Sequence, residues 1–149
     1  MMRLALTIAL TSLAAASAFG QASMEGVGRS HVEANIPAPD DFNRLLHRDL
    51  TAFFGGRTGQ SVQVEYRLLR DGPTQSGVAY PKYYAWVRIT AGSAVVEEGA
   101  VRLAAIERKR FEVTDYVSAV TVRSDPKSVE SVFPRALVPA ILKSAGSRT

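Results

Sequence analysis

The sequence predicts an α+β protein: one long helix packed on a curved four-stranded antiparallel sheet, followed by a C-terminal helical segment. Three observations carry that expectation. Phe42, Leu45, Leu46, Leu50, Phe53 and Phe54 recur at helical spacing between Asp40 and Gly56. The chain from Ser61 to Val122 then alternates apolar and polar residues at period two, broken by turn-forming clusters. Asp125-Pro126 starts a last, proline-interrupted apolar stretch.

The first 22 residues are set apart from this domain. Arg3 is a short positive region, residues 4–16 are apolar but too few to span a bilayer, and Ala16-Ser17-Ala18 or Gly20-Gln21-Ala22 offers a small-x-small cleavage site. These features predict a secretory signal peptide over residues 1–22 and a single domain over residues 23–149, with the mature chain starting near Phe19 or Ser23. The chain has no Cys, which excludes disulfides and thiol chemistry. An exported domain without disulfides suits a periplasmic or secreted protein of the bacterial envelope. The net charge of +4 over 149 residues is mild and singles out no partner.

Residues 28–36 alternate weakly and predict a short edge strand, on which His31 is expected to be exposed. Pro37-Ala38-Pro39 forces an extended link into the helix. Pro39 and Asp40 are start signals, Asp41 adds negative charge at the positive end of the helix dipole, and Gly55-Gly56 predicts the stop. Each buried Leu or Phe on the helical stripe is worth roughly 1.5–3 kcal/mol, so this helix is expected to organise the core.

The first strand is expected over 61–70, with Val62, Val64, Tyr66 and Leu68 inward and Gln63, Glu65 and Arg67 outward. Residues 71–77 form a hairpin loop. The second strand is expected over 78–89, with Tyr83, Ala85, Val87 and Ile89 inward and Tyr80, Lys82, Tyr84, Trp86 and Arg88 outward; Pro81 places that end at an edge or bulge. The third runs over 94–106, with Gly99 expected to mark a bulge or bend. The fourth runs over 110–122, with Phe111, Val113 and Val117 inward and Tyr116 outward. Asp115 interrupts its inward face and needs a hydrogen-bond partner or an open position. Pro134 and Pro139 predict a kinked or two-part C-terminal helix rather than one rod.

This order of elements resembles the cystatin-like arrangement, and the related nuclear-transport-factor-2-like cone, over most of the mature chain. The resemblance implies a sheet gripping one helix. It lies in element order rather than motif: the cystatin Gln-x-Val-x-Gly hairpin finds only Gln60-Ser61-Val62-Gln63-Val64, which lacks the glycine and opens a strand. Protease inhibition is accordingly not implied.

No catalytic, metal or nucleotide motif stands out, and the reading leans away from an enzyme. The sharpest feature is the outward row of the second strand. Tyr80, Tyr84, Trp86 and Arg88, with Arg67 and Arg102 from neighbouring strands, are the candidate ligand-binding residues. Aromatic faces alternating with cations can stack on sugars and pair with anionic groups. In an exported protein an envelope glycan, lipid or protein partner fits better than nucleic acid; a homodimer through the same sheet face is the competing use. Cone-shaped relatives imply a second reading, a small-ligand carrier or an isomerase or dehydratase with a pocket between helix and sheet. Asp115, His47 and Asp49 are its ionisable candidates, although helix phase puts His47 on the polar side. Two histidines far apart and no Cys make a poor metal site, and no cofactor is indicated. Arg44 with Arg48, and Arg108-Lys109-Arg110, read as solvated basic surface.

Overall fold

The predicted stripe is the inner side of helix α2. A computed structural model describes residues 24–147; the expected signal peptide lies outside them. Helix α1 spans Met24–Asn35 and α2 spans Pro39–Thr58. Leu45, Leu46, Leu50 and Phe54 of α2 are buried, with Phe42 and Phe53 partly buried against the same cluster. The helix passes through Gly55 and Gly56, against expectation. Each glycine costs a helix interior about 1 kcal/mol, but burial of Phe54 holds that turn in place. The chain stops at Gly59, whose φ of 69° is the left-handed conformation and whose N–H donates to the Gly55 carbonyl. At the other end Ala38 sits in the cap position and no side chain caps the helix. Asp41 instead accepts from Arg44 at 2.6 Å.

Residues 28–36 are helical, not an edge strand. Their weak alternation is outweighed by contacts at the end of α1. The Asn35 side chain donates to the His31 carbonyl and accepts from the Glu107 N–H, and the Asn35 carbonyl accepts from Arg108 N–H. Both acceptors of this buried residue are therefore used by a distant turn. His31 is partly buried rather than exposed, and its ring stacks on Tyr80 at 6.1 Å.

Strands β1 (Gln63–Leu68), β2 (Lys82–Ala91), β3 (Ala94–Ile106) and β4 (Arg110–Ser118) form one open antiparallel sheet in sequence order. Tyr83, Ala85, Val87 and Ile89 of β2 face α2, as do Val101, Leu103 and Ala105 of β3. The second strand starts later than expected, because residues 78–81 belong to the preceding loop, joined to the strand by a Thr74–Lys82 bridge.

Gly99 is not a bulge. It pairs regularly with Val87 and Ser118, and an added Cβ would collide with the Val117 carbonyl and the Tyr116 ring. The register shifts lie elsewhere, between Ile89 and Thr90 and between Arg102 and Leu103. The second leaves Thr114 without a partner across the ladder and reverses the facing of everything after it. Tyr116 therefore packs inward on Phe54, with ring centroids 5.1 Å apart, whereas Val117 joins the opposite face. The sequence-based facing of these two residues is inverted by that one insertion.

The fourth strand also ends early. The Ser118 hydroxyl accepts from the Thr121 N–H and caps helix α3, Ala119–Ser124, although Val120, Thr121 and Val122 are β-branched. Helix α4 (Lys127–Glu130), a 3₁₀ turn at Arg135–Leu137 and helix α5 (Val138–Gly146) complete the chain. Pro139 lies in the first turn of α5, where its missing N–H is not needed. Val122, Val129, Phe133, Leu137 and Ile141 form a second core with Tyr84, Ala100 and Val117. The C-terminal helices thus cover the sheet face opposite α2.

Leu50 is fully enclosed between α2 and the sheet. Leu50→Ala is expected to lower unfolding stability by about 2–5 kcal/mol in denaturant titrations. Val120→Ala, at a side chain that is 66% exposed, should stay within about 0.5 kcal/mol. Equal midpoints for the two variants would contradict the packing described.

Candidate functional site

The C-terminal layer divides the predicted row. Tyr84 is buried, not exposed: its hydroxyl shares a 2.6 Å hydrogen bond with the Thr74 hydroxyl, and its ring meets Phe133 edge-on at 6.1 Å. Tyr80 is exposed but sits in the loop before β2, stacked on His31. Arg102 is drawn into the fold. Its Nε donates to Asp115 Oδ2 at 2.7 Å, and its Nη1 donates to the Val132 carbonyl at 3.1 Å. The row misleads as a single surface because alternation reports which side of a sheet a residue takes, and not what covers that side.

What remains together is Arg67, Trp86 and Arg88. Trp86 stands opposite Arg67 on β1 and Ala100 on β3; Arg88 stands opposite Glu65 and Glu98. Helix α5 and the residue that follows it bring Ser144 and Ser147 beside them. Together with Tyr66 these residues line an open cleft of about 340 Å³. Arg67 Nη2 donates to Ser144 Oγ at 2.9 Å, and Arg88 Nε lies 3.5 Å from Glu98 Oε1. Ala100, the cross-strand partner of Trp86, is small and buried. Glu65 and Glu98 were legible as strand neighbours once the register was known. Ser144 and Ser147 carried no sequence signal, since their helix docks on this face through residues that only the fold brings close.

Trp86 differs from every tyrosine in the chain. Tyr66 bonds to Asn43, Tyr80 stacks on His31, Tyr83 meets Phe42 and Phe111, Tyr84 bonds to Thr74, and Tyr116 packs between Phe54 and the Arg57 guanidinium. Among the described residues, the Trp86 ring has no aromatic or cationic partner and its indole N–H donates no hydrogen bond. That N–H is not among the enclosed polar atoms left without partners. It is therefore not sealed from solvent.

A second cleft, of about 410 Å³, lies beside the first half of β3. Its wall includes Val95, Val96 and Val120, all exposed. Its cations are engaged: Arg57 pairs with Glu97 at 3.1 Å and covers the Tyr116 ring, and Arg123 donates to the Ala145 carbonyl.

The acid–base candidates are not gathered. Asp115 lies on the face opposite α2, bound to Arg102. His47 is exposed on α2. Asp49 Oδ2 accepts the Phe111 N–H at 2.7 Å, and its Oδ1 accepts from Arg48. The basic segment 108–110 is exposed and joins β4 to a tight turn in which Glu107 and Arg108 both have positive φ. Arg44, Arg48 and Arg110 each lie beside a carboxylate. Among the described residues, no group of three or more His, Asp or Glu side chains is placed to hold a metal ion.

No family model matches the chain, and neither curated proteins nor solved structures match it.

Burial pushes the Tyr116 phenol well above its ordinary value, with the Glu97 carboxylate adding to the shift and Arg57 opposing it. Burial alone raises Tyr66 and Tyr83. A pKa raised by folding stabilises the native state fully below the unfolded value, near pH 10, and that contribution is lost as pH climbs through the folded value. Denaturation midpoints should therefore fall as pH rises above about 10. Tyr116→Phe should flatten that fall, while lowering stability at neutral pH through loss of the bond from its hydroxyl to the Glu98 carbonyl. Identical pH slopes for the two proteins would contradict the burial assigned to this phenol.

Proposed function

We propose that the protein is a non-catalytic binding module, exported to the bacterial envelope, whose ligand seats on Trp86. The observation that carries this reading is the single tryptophan, packed against the second core yet, among the described residues, with no aromatic, cationic or hydrogen-bond partner, in a cleft lined by charged side chains. A partly buried aromatic ring on a sheet strand that lines a cleft supplies contact area at low entropic cost. Arg67, Arg88, Glu65 and Glu98 around it provide donors and acceptors that can orient a bound group. The long helix followed by a four-stranded antiparallel meander supports grouping the chain with cystatin-like or nuclear-transport-factor-2-like folds. The signal-like residues 1–22 and the absence of Cys support export.

The carrier or isomerase reading has less support. The space between α2 and the sheet holds the fully enclosed side chains of Leu46, Leu50, Phe54, Ile89 and Leu103, and Asp115 is across the sheet from it. A homodimer through the outward face of β2 meets the C-terminal helices instead, since Tyr84 and Ala100 are buried beneath them.

Binding is tested by isothermal calorimetry of envelope glycans, lipid vesicles and envelope extracts against the wild type and Trp86→Ala. The variant should lose at least about tenfold in affinity, or about 1.4 kcal/mol, while its circular dichroism stays native. Unchanged affinity in a folded variant would move the site elsewhere. Export is tested by expressing the full chain in a bacterial host and measuring the mass of the protein in each fraction. A periplasmic or secreted product beginning at Phe19 or Ser23 is expected, and a cytosolic product that keeps residues 1–22 would contradict export.

A further inference from the structure

We infer that the Trp86 cleft takes a neutral sugar ring, as in an uncharged oligosaccharide; the inference rests on the binding-module reading and names the ligand class for the same site. Four features of the cleft point to it. Its volume of about 340 Å³ is at the lower end of ligand pockets, which run from about 300 to 1,000 Å³. That suits one or two rings rather than a folded partner.

Its charge is balanced. Arg67 and Arg88 are offset by Glu65 and Glu98, and Arg88 lies beside Glu98 at 3.5 Å. A groove for nucleic acid or another polyanion needs an excess of cations, because neutralising phosphates drives that binding. Two carboxylates beside the aromatic would repel such a ligand.

Its lining offers both hydrogen-bonding senses. Carboxylates accept, guanidinium groups and the indole N–H donate, and the Ser144 and Ser147 oxygens accept. Ser144 and Ser147 donate to the Ala140 and Lys143 carbonyls, and the Ser144 oxygen also accepts from Arg67, so what these hydroxyls offer is remaining acceptor capacity. A row of hydroxyls, each both donor and acceptor, complements that mixture. An acyl chain does not, since it would strip water from charged groups and return no hydrogen bonds.

Trp86 is a partly exposed aromatic of the cleft, whereas Tyr66, also on its lining, has its hydroxyl bound to Asn43 of α2. A pyranose presents an apolar C–H face and a hydroxylated edge, so it can lie on the indole while its hydroxyls reach the charged rim. The assignment therefore uses the ring face and the polar rim in one pose.

The test is a titration of the full chain, followed by Trp86 fluorescence and by calorimetry, at low and high salt. The probes are neutral chito-, malto- and cello-oligosaccharides, the polyanion heparin, and vesicles of phosphatidylglycerol. A neutral oligosaccharide should give a saturable blue shift at up to millimolar concentration, with little dependence on salt. In calorimetry Trp86→Ala should weaken it by about ten- to a hundredfold, the loss expected when a stacking platform is removed. Glu98→Gln should weaken it by a smaller factor, and Val120→Ala, outside the cleft, should leave it unchanged. A saturable Trp86 response to heparin or vesicles but to no neutral sugar would overturn the sugar assignment and leave the binding-module reading standing. Sugar binding that survives Trp86→Ala would overturn the placement in this cleft. A Trp86 that responds to no probe overturns the sugar assignment, and silence toward envelope extracts as well overturns both.

Discussion

The burial of α2 against the centre of the sheet is the interaction on which the other parts depend. Leu46, Leu50 and Phe54 are fully enclosed, and they meet Val87, Ile89, Val101 and Leu103 from the two middle strands. Side chains of this kind contribute roughly 1.5–3 kcal/mol each when removed from water. A 20-residue helix seated that way sets which face of the sheet is the inner one. The partner strands must then alternate in a fixed phase, because a one-residue slip would turn the apolar set outward. With no disulfide available, this packing and the second core beneath the C-terminal helices hold the chain together.

The phase is broken once in β4, and the break matters for the other face. The shift at Thr114 sends Asp115 toward Arg102 and lets Tyr116 fill the inner core beside Phe54. Arg102 then reaches the Val132 carbonyl and ties the C-terminal layer to the sheet. Arg67 does the same through Ser144, and Arg123 through the Ala145 carbonyl at the end of α5. A cation near the last carbonyls of a helix is favoured by the helix dipole. Three arginines from the strands and from α3 thus hold the layer that covers Tyr84 and forms one wall of the Trp86 cleft.

The β3–β4 turn shows a related dependence. Glu107 and Arg108 adopt φ values of 52° and 61°, which disfavour residues with a Cβ. The turn is held from two sides: Asn35 of α1 binds its N–H groups, while Arg48 and Asp49 of α2 bind the Lys109 carbonyl and the Phe111 N–H. Arg48, expected as solvated charge, and Asp49, an ionisable candidate of the pocket reading, together brace a strained hairpin, and both Asp49 oxygens are engaged in doing so.

The α+β class, the six inward residues of α2, the inner faces of the second and third strands and the broken C-terminal helix were legible by themselves, because periodicity and proline chemistry act over neighbouring residues. Arg67, Trp86 and Arg88 were also legible as one outward group. The helical state of residues 28–35, the reversal of Tyr116 and Val117, the burial of Tyr84 and the capture of Arg102 were decided only by tertiary structure. Each depends on a partner distant in sequence: Asn35 on the 107–108 turn, Tyr84 on Phe133, Arg102 on Asp115 and Val132. Local pattern determines which face a side chain takes, whereas what lies against that face is set by segments that meet only when the whole chain is folded.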